Sequence, residues 1–258
     1  MNEYALITGA SKGIGKAMAL RLADKGYHLM LVARSEKELQ ELSILIEEQF
    51  QVKALYFSTD LSEKDAAAKV TDWVKTCTSS LSVLINNAGY GVWGDFDVLD
   101  LEMQMNMMRL NVDTVIALTY QLLPILKAQK QSYILNVSST AAYQAVPTLA
   151  LYAASKTFIL SYSRALHFEL KDSSVSVSCV CPGPTDTDFA SRAGMDALAD
   201  LANKFNMKPD DVAESALKGM FGKKTEIIPG FLNKLSAFGA NHLPKSLIER
   251  ITAGLYRR

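Results

Sequence analysis

Three cysteines in 258 residues, Cys77, Cys179 and Cys181, are too few and too odd in number for a disulfide framework. They favour a reducing compartment, and the expected location is cytoplasmic. Cys179-Val-Cys181 puts two thiols on one face of a strand, which reads as core packing rather than as a metal pair. His28, His167 and His242 lie far apart in no ligand spacing, so no metal site is expected. Neither sign of charge is in excess, because 27 Lys and Arg balance 27 Asp and Glu. Without a basic surplus to neutralise phosphates, nucleic acid is not expected as the main partner. No apolar run approaches the ~20 residues that cross a bilayer. Folding sequence is expected almost from Met1, without a signal peptide, and the protein is expected to be soluble. No Pro/Gly/Ser linker, low-complexity tract or composition break divides the chain, so residues 1–258 are expected to form a single domain.

What is present begins at once. The apolar run Tyr4-Ala5-Leu6-Ile7 leads into Thr8-Gly9-Ala10-Ser11-Lys12-Gly13-Ile14-Gly15, and helical spacing follows with Met18, Leu20, Leu22 and Ala23. A strand, a glycine turn and a helix start thus adjoin. A helix N-terminus offers unpartnered N–H groups and a positive dipole end, which attract phosphate. Gly9 permits the sharp turn, Gly13 the close approach of a pyrophosphate, and Gly15 tight packing of helix on strand. The spacing is G-x-x-x-G-x-G and lacks the Gly-Lys-Ser/Thr of a nucleoside-triphosphate loop. It points to a dinucleotide.

Strands and helices then alternate. Strands are expected at Tyr27 to Ala33, Val52 to Phe57, Leu81 to Ile85, Tyr133 to Ser138 and Val175 to Cys181, with a last edge strand at Thr225 to Ile228. Helices are expected at Glu36 to Phe50, from a Ser62 cap through Ala66 to Val74, over Leu101 to Lys127 with Pro124 bending or ending it, over Ala150 to Leu170, and from Pro209. This alternation implies an α/β fold: parallel strands joined by helical crossovers in one doubly wound sheet with helices on both faces. Ligands bind such sheets beyond the carboxyl ends of the strands. There the unusual residues recur: Gly9 to Gly15, Arg34, Asp60, Asn87 to Gly89, Ser138-Ser139 and Pro182-Gly183.

Ala33-Arg34 ends the second strand where an acidic residue would bind a ribose 2′-hydroxyl. Arg34, together with Lys12 in the glycine loop, favours a 2′-phosphate, hence NADP(H) over NAD(H). Tyr152 and Lys156, four apart, share a helix face. A free tyrosine has a pKa of about 10 and is a poor base, but a nearby ammonium favours its phenolate. Tyr152 then suits proton exchange with a carbonyl or alcohol, and Ser139 at a strand end suits a hydrogen bond to the same oxygen.

These residues resemble the short-chain dehydrogenase/reductase family, through Thr8 to Gly15, Asp60-Leu61, Asn86-Asn-Ala-Gly89, Asn111, Ser139, Tyr152-Ala-Ala-Ser-Lys156 and Pro182-Gly183 with Thr187, in family order. The resemblance implies a Rossmann fold and hydride transfer between a nicotinamide and a ketone or secondary alcohol. It implies Tyr152 as acid/base, Lys156 lowering its pKa and holding the ribose, Ser139 orienting the substrate oxygen, and Asn111 holding a relay water. It implies cofactor contacts from Gly9, Ser11, Lys12, Gly13, Ile14, Gly15, Arg34, Asp60, Leu61, Asn87, Ala88, Gly89, Pro182, Gly183, Thr185 and Thr187. It also implies a homodimer or homotetramer joined through about 101 to 127 and 150 to 170. A sensor or scaffold without turnover is the alternative, against which the intact Asn111, Ser139, Tyr152 and Lys156 argue.

Residues 188 to 206 are expected to cover the substrate. Phe189, Met195, Leu198, Leu201 and Phe205 there either face an apolar ligand or pack the cover onto the body. Phe231 to Arg258 is amphipathic and basic, with Lys234, Lys245, Arg250, Arg257 and Arg258 against Glu249. Such a segment lies on an acidic membrane surface or, more often, packs on its own domain or a dimer mate. An Ile-Pro-Gly run and basic tail resemble 3-oxoacyl and hydroxysteroid reductases of the family, which implies a bulky apolar carbonyl substrate.

Overall fold

Seven parallel strands form one sheet among the residues described in the computed structural model, which are 3–189, 193–194 and 206–256. They are β1 (Tyr4–Thr8), β2 (His28–Ala33), β3 (Ala54–Ser58), β4 (Leu81–Asn86), β5 (Ser132–Val137), β6 (Val175–Val180) and β7 (Glu226–Ile227). Their order is β3-β2-β1-β4-β5-β6-β7. Each expected strand is present, shifted by one or two residues at its ends. The central strands read as continuous apolar runs because both faces of the sheet are covered.

The crossovers are α1 (Gly13–Asp24), α2 (Glu36–Phe50), α3 (Ala66–Cys77), α4 (Leu101–Met108), α5 (Thr114–Lys127) and α6 (Ala150–Glu169). Then come α7 (Pro209–Phe221), α8 (Phe231–His242) and α9 (Lys245–Tyr256). On one face Ala5, Ile7, Leu29 and Leu31 meet Met18 and Leu22 of α1 and Leu217 and Met220 of α7. On the other, Leu6, Leu84 and Ile134 meet Val70 and Val74 of α3 and Leu118 and Leu122 of α5. Each buried Leu or Ile contributes about 1.5–3 kcal/mol, so the two-sided core fixes the register on which the strand ends depend.

Three local expectations are corrected. The helix expected over Leu101 to Lys127 is divided by a π turn at Arg109–Asp113, where the Thr114 N–H reaches back to the Arg109 carbonyl. Pro124, expected to bend or end it, does not end it, since α5 runs on to Lys127 with Leu122 and Leu126 buried on either side of the proline. Ser62 does not cap α3: its N–H and hydroxyl both donate to Asp60 Oδ1, at 2.9 and 2.7 Å, and the helix starts at Ala66. The Asp60 carboxylate outcompetes the helix start for this serine.

Candidate active site

The strand order reverses direction between β1 and β4, and the unusual residues gather beyond their carboxyl ends. Gly9 and Gly13 turn with φ of +64° and +54°, a region that side chains disfavour. At Gly15 a Cβ would collide with the Gly9 carbonyl oxygen. Helix α1 begins after Lys12 with no side chain capping it. Its first-turn N–H groups are left to an anion, so the loop fits a dinucleotide's phosphates. Asn87 Nδ2 donates to the Thr8 and Gly9 carbonyls at 2.9 and 3.1 Å. Thr8 Oγ1 in turn accepts from the N–H groups of Asn87 and Ala88, each at 3.0 Å. Asn87 therefore shapes the glycine loop, and Thr8, the first residue of that motif, closes the clamp.

At the ribose end, Arg34 is exposed, with Nη1 3.9 Å from Asp60 Oδ2. Burial works to raise the Asp60 carboxyl, but the two Ser62 donors and then Arg34 hold it below its ordinary value. The main chain of Leu61 is fixed by its carbonyl, which accepts from Thr114 Oγ1 at 2.6 Å. Lys12 differs from expectation. Its Nζ lies 3.0 Å from Glu38 Oε1 and 3.2 Å from Asp188 Oδ2. Hydrogen bonds to Glu38 and then Asp188 raise its pKa. An anion approaching Lys12 must compete with these two carboxylates. Glu38 escaped the sequence reading because its approach to Lys12 is made only by the fold. It borders a cleft of about 570 Å³ with Ser11, Lys12, Gly13, Lys16 and Leu42.

At the reacting end, a Cβ on Gly89 would lie 2.8 Å from Asn111 Oδ1 and 3.3 Å from Lys156 Nζ, so these groups converge on that glycine. Lys156 is buried, donates to the Val137 carbonyl at 3.0 Å and sits 5.8 Å from the Tyr152 ring centre. Burial pushes its ammonium down to about 8, with Cys179 and Cys181 acting weakly the other way. Asn111, in the π turn, donates to the Tyr90 carbonyl (3.0 Å) and Ser155 Oγ (3.2 Å) and accepts from the Tyr90 N–H (3.1 Å). Its amide braces the turn against α6 and the loop after Gly89. Ser138 is spent on the Lys156 carbonyl at 2.7 Å. Ser139 accepts from the Ala141 N–H at 3.1 Å, which leaves its hydroxyl proton to give.

Beyond β6, Gly183 lies against the side chain of Asn233 with no room for a Cβ. Thr185 Oγ1 donates to the Gly183 carbonyl at 3.0 Å, Thr187 Oγ1 to the Thr185 carbonyl at 3.4 Å, and the Thr187 methyl sits over Gly13. This segment therefore closes over the glycine loop. Tyr152 is flanked by Phe189, ring centres 5.4 Å apart, and packs with Val92, Trp93, Met107, Val146 and Leu149. Beside it is a small cavity of about 50 Å³ bounded by Val92, Leu99, Met107 and Leu151. Met195, Leu198, Leu201 and Phe205 lie outside the described residues.

An uncapped helix start on glycines, together with a buried lysine and a tyrosine one helix turn apart, fits a dinucleotide site. A model of the short chain dehydrogenases matches residues 3–197, and the chain belongs to that family. A very-long-chain 3-oxoacyl-CoA reductase of Mus musculus is 34% identical over 196 residues, 74% of this chain and 62% of that protein. The chain thus matches less than two thirds of the length of such curated relatives. Among solved structures, a short-chain dehydrogenase from Sphingobium yanoikuyae in complex with NADPH superposes with a TM-score of 0.83 at 28% identity, covering 95% of this chain and 94% of that one. A 7β-hydroxysteroid dehydrogenase gives 0.85 at 25% identity, covering 97% and 96%.

Proposed function

We propose that this protein is an NADP-dependent oxidoreductase that reduces a bulky, apolar ketone to a secondary alcohol. The observation that carries the chemistry is the convergence of Lys156 Nζ and Asn111 Oδ1 on Gly89, with the Tyr152 ring against Gly91 and its centre 5.8 Å from Lys156 Nζ. The bound dinucleotide supplies the hydride. Tyr152 gives its phenolic proton to the substrate oxygen, and Ser139 donates a hydrogen bond to that oxygen as charge develops. The buried Lys156 ammonium stabilises the phenolate that remains. Asn111 acts through its brace on Tyr90 and Ser155, holding α6 in register.

NADP preference rests on Arg34, exposed at the end of β2 where no acid stands. The apolar substrate class is supported by Phe189, Val92, Leu99 and Met107 beside Tyr152, and by the 3-oxoacyl-CoA and hydroxysteroid names of relatives. A homodimer or homotetramer through α4 to α6 is supported by the exposed apolar side chains of Ile116, Tyr120, Phe158 and Phe168. Sedimentation velocity reads this assembly, and a monomer at micromolar concentration would refute it.

The test is cofactor oxidation against short, aromatic, steroid, sugar and 3-oxoacyl ketones, with NADPH and NADH in parallel. We expect turnover with NADPH on the bulky apolar members. In Arg34→Asp we expect NADPH affinity to fall at least about tenfold while NADH affinity is kept, because a charge-assisted phosphate contact is lost. An unchanged ratio of affinities would remove Arg34 from the phosphate site. Turnover confined to sugars would sink the apolar assignment.

A further inference from the structure

Helices α8 and α9 expose more large apolar surface than their own fold covers. On α8 the side facing the body carries Asn233, Ala237 and Ala240, spaced four and three apart, with the two alanines buried. The opposite side carries Phe231, Leu232, Leu235 and Phe238, which are 78%, 63%, 58% and 61% exposed. On α9, Ile248 and Thr252 are buried, while Leu247 and Ile251 are exposed beside them. Packing on its own domain, one of the three fates expected for this segment, therefore does not account for its outer stripe. An uncovered apolar stripe of this size marks a binding surface.

The charge selects the occupant. Residues 231–258 hold five basic residues and one acidic, whereas the whole chain is balanced, so the remainder is acidic by four. Lys234, Lys245 and Arg250 are exposed around the stripe. Pairing this face with the same face of a second copy would bring both sets of cations together, which opposes a two-fold contact. An anionic lipid surface satisfies both features. The aromatic and leucine side chains enter the headgroup–acyl boundary, and the cations stay at the phosphates. Among the described residues no helix is long and apolar enough to cross a membrane, so the contact is one of lying on the surface.

We propose that α8 and α9 dock this protein peripherally on anionic membranes through Phe231, Leu232, Leu235 and Phe238 together with Lys234, Lys245 and Arg250. Docking would set the membrane beside the site, because Asn233 on the inner side of α8 rests on Gly183. The inference stands apart from the proposed reaction, since its test reads lipid binding alone.

The test is co-sedimentation of the full chain with vesicles of phosphatidylcholine alone and of phosphatidylcholine mixed with phosphatidylglycerol. We expect the protein in the pellet with the mixed vesicles, its bound fraction falling as salt is raised. Phe231→Ser/Leu235→Ser/Phe238→Ser should lower vesicle partitioning by roughly tenfold or more while leaving NADPH binding and the circular dichroism spectrum as in the parent. The three positions are exposed, so the fold does not depend on them. Protein that stays in the supernatant with both vesicle types overturns the proposal. So does binding that survives the triple substitution. If the substitution instead lowers the sedimentation mass and lipid binding is absent, the stripe is a subunit contact and the proposal fails.

Discussion

The buried ammonium of Lys156 should weaken the fold that holds it, and Lys156→Met measures by how much. Lys156 is 5% exposed, and burial lowers its pKa from 10.5 to about 8. At roughly 1.4 kcal/mol per pH unit, that drop is a penalty of about 3 kcal/mol. Below about pH 8 both folded and unfolded chains carry the proton, and the penalty is complete. Between about 8 and 10.5 the unfolded chain still holds a proton that the folded chain has released, so stability rises with pH. Above that window both are neutral and the penalty is gone. Methionine fills a similar volume without charge but forfeits the hydrogen bond to the Val137 carbonyl, which costs about 1 kcal/mol. We expect Lys156→Met to be more stable than the parent by about 1–2 kcal/mol at pH 7 in urea melts, while losing turnover. Its advantage should shrink by about 3 kcal/mol as pH approaches 10.5. Comparing two chains at each pH cancels the other lysines and tyrosines that titrate there. A stability difference that does not change between pH 7 and 10.5 would show that the ammonium is not penalised, and the reasoning would fail.

Glu38→Gln should release Lys12 towards a 2′-phosphate and tighten NADPH roughly two- to fivefold, the scale of an exposed ion pair, with NADH little changed. Fluorescence titration reads both, and unchanged or weaker NADPH binding would rule out competition between Glu38 and the phosphate. Asn87→Ala removes the two donors that hold the Thr8 and Gly9 carbonyls. It should cost about 1–3 kcal/mol, read as a Tm lower by roughly 3–8 °C, and weaken cofactor binding as the loop relaxes. A melting point and a cofactor affinity equal to the parent's would leave Asn87 no part in shaping the loop.

The layered fold was legible because its signals are local. Leu29 to Val32 and Leu81 to Ile85 are apolar throughout, as only strands covered on both faces are, and Glu36 to Phe50 shows its helix by spacing and by flanking strands. The glycine turn and the Tyr152–Lys156 pair were legible for the same reason, since each is a short-range pattern. What the sequence hid depends on long-range approach. The π turn at Arg109–Asp113 continues a helical pattern without interruption. It is read only once Asn111 is seen bridging the Tyr90 main chain and Ser155, 21 and 44 residues away. Ser62 looked like a cap, yet Asp60 two residues earlier offers it a carboxylate. Lys12 reads in the sequence as a cation for a 2′-phosphate, yet its carboxylate partners are 26 and 176 residues along the chain. Nor does amphipathicity say which side of Phe231–His242 faces the body. That needed the burial of Ala237 and Ala240.

Hydride delivery governed by Tyr152 is the central claim, and isotope transfer tests it most directly. NADPH carrying deuterium at the transferable C4 position would be incubated with the protein and a bulky 3-oxoacyl or steroid ketone, and the product weighed by mass spectrometry. We expect one deuterium on the new carbinol carbon with the parent protein, and none with Tyr152→Phe despite NADPH affinity within about twofold of the parent, since the lost hydroxyl acts on the substrate. Unlabelled product, or equal labelling by Tyr152→Phe and the parent, would contradict the assignment.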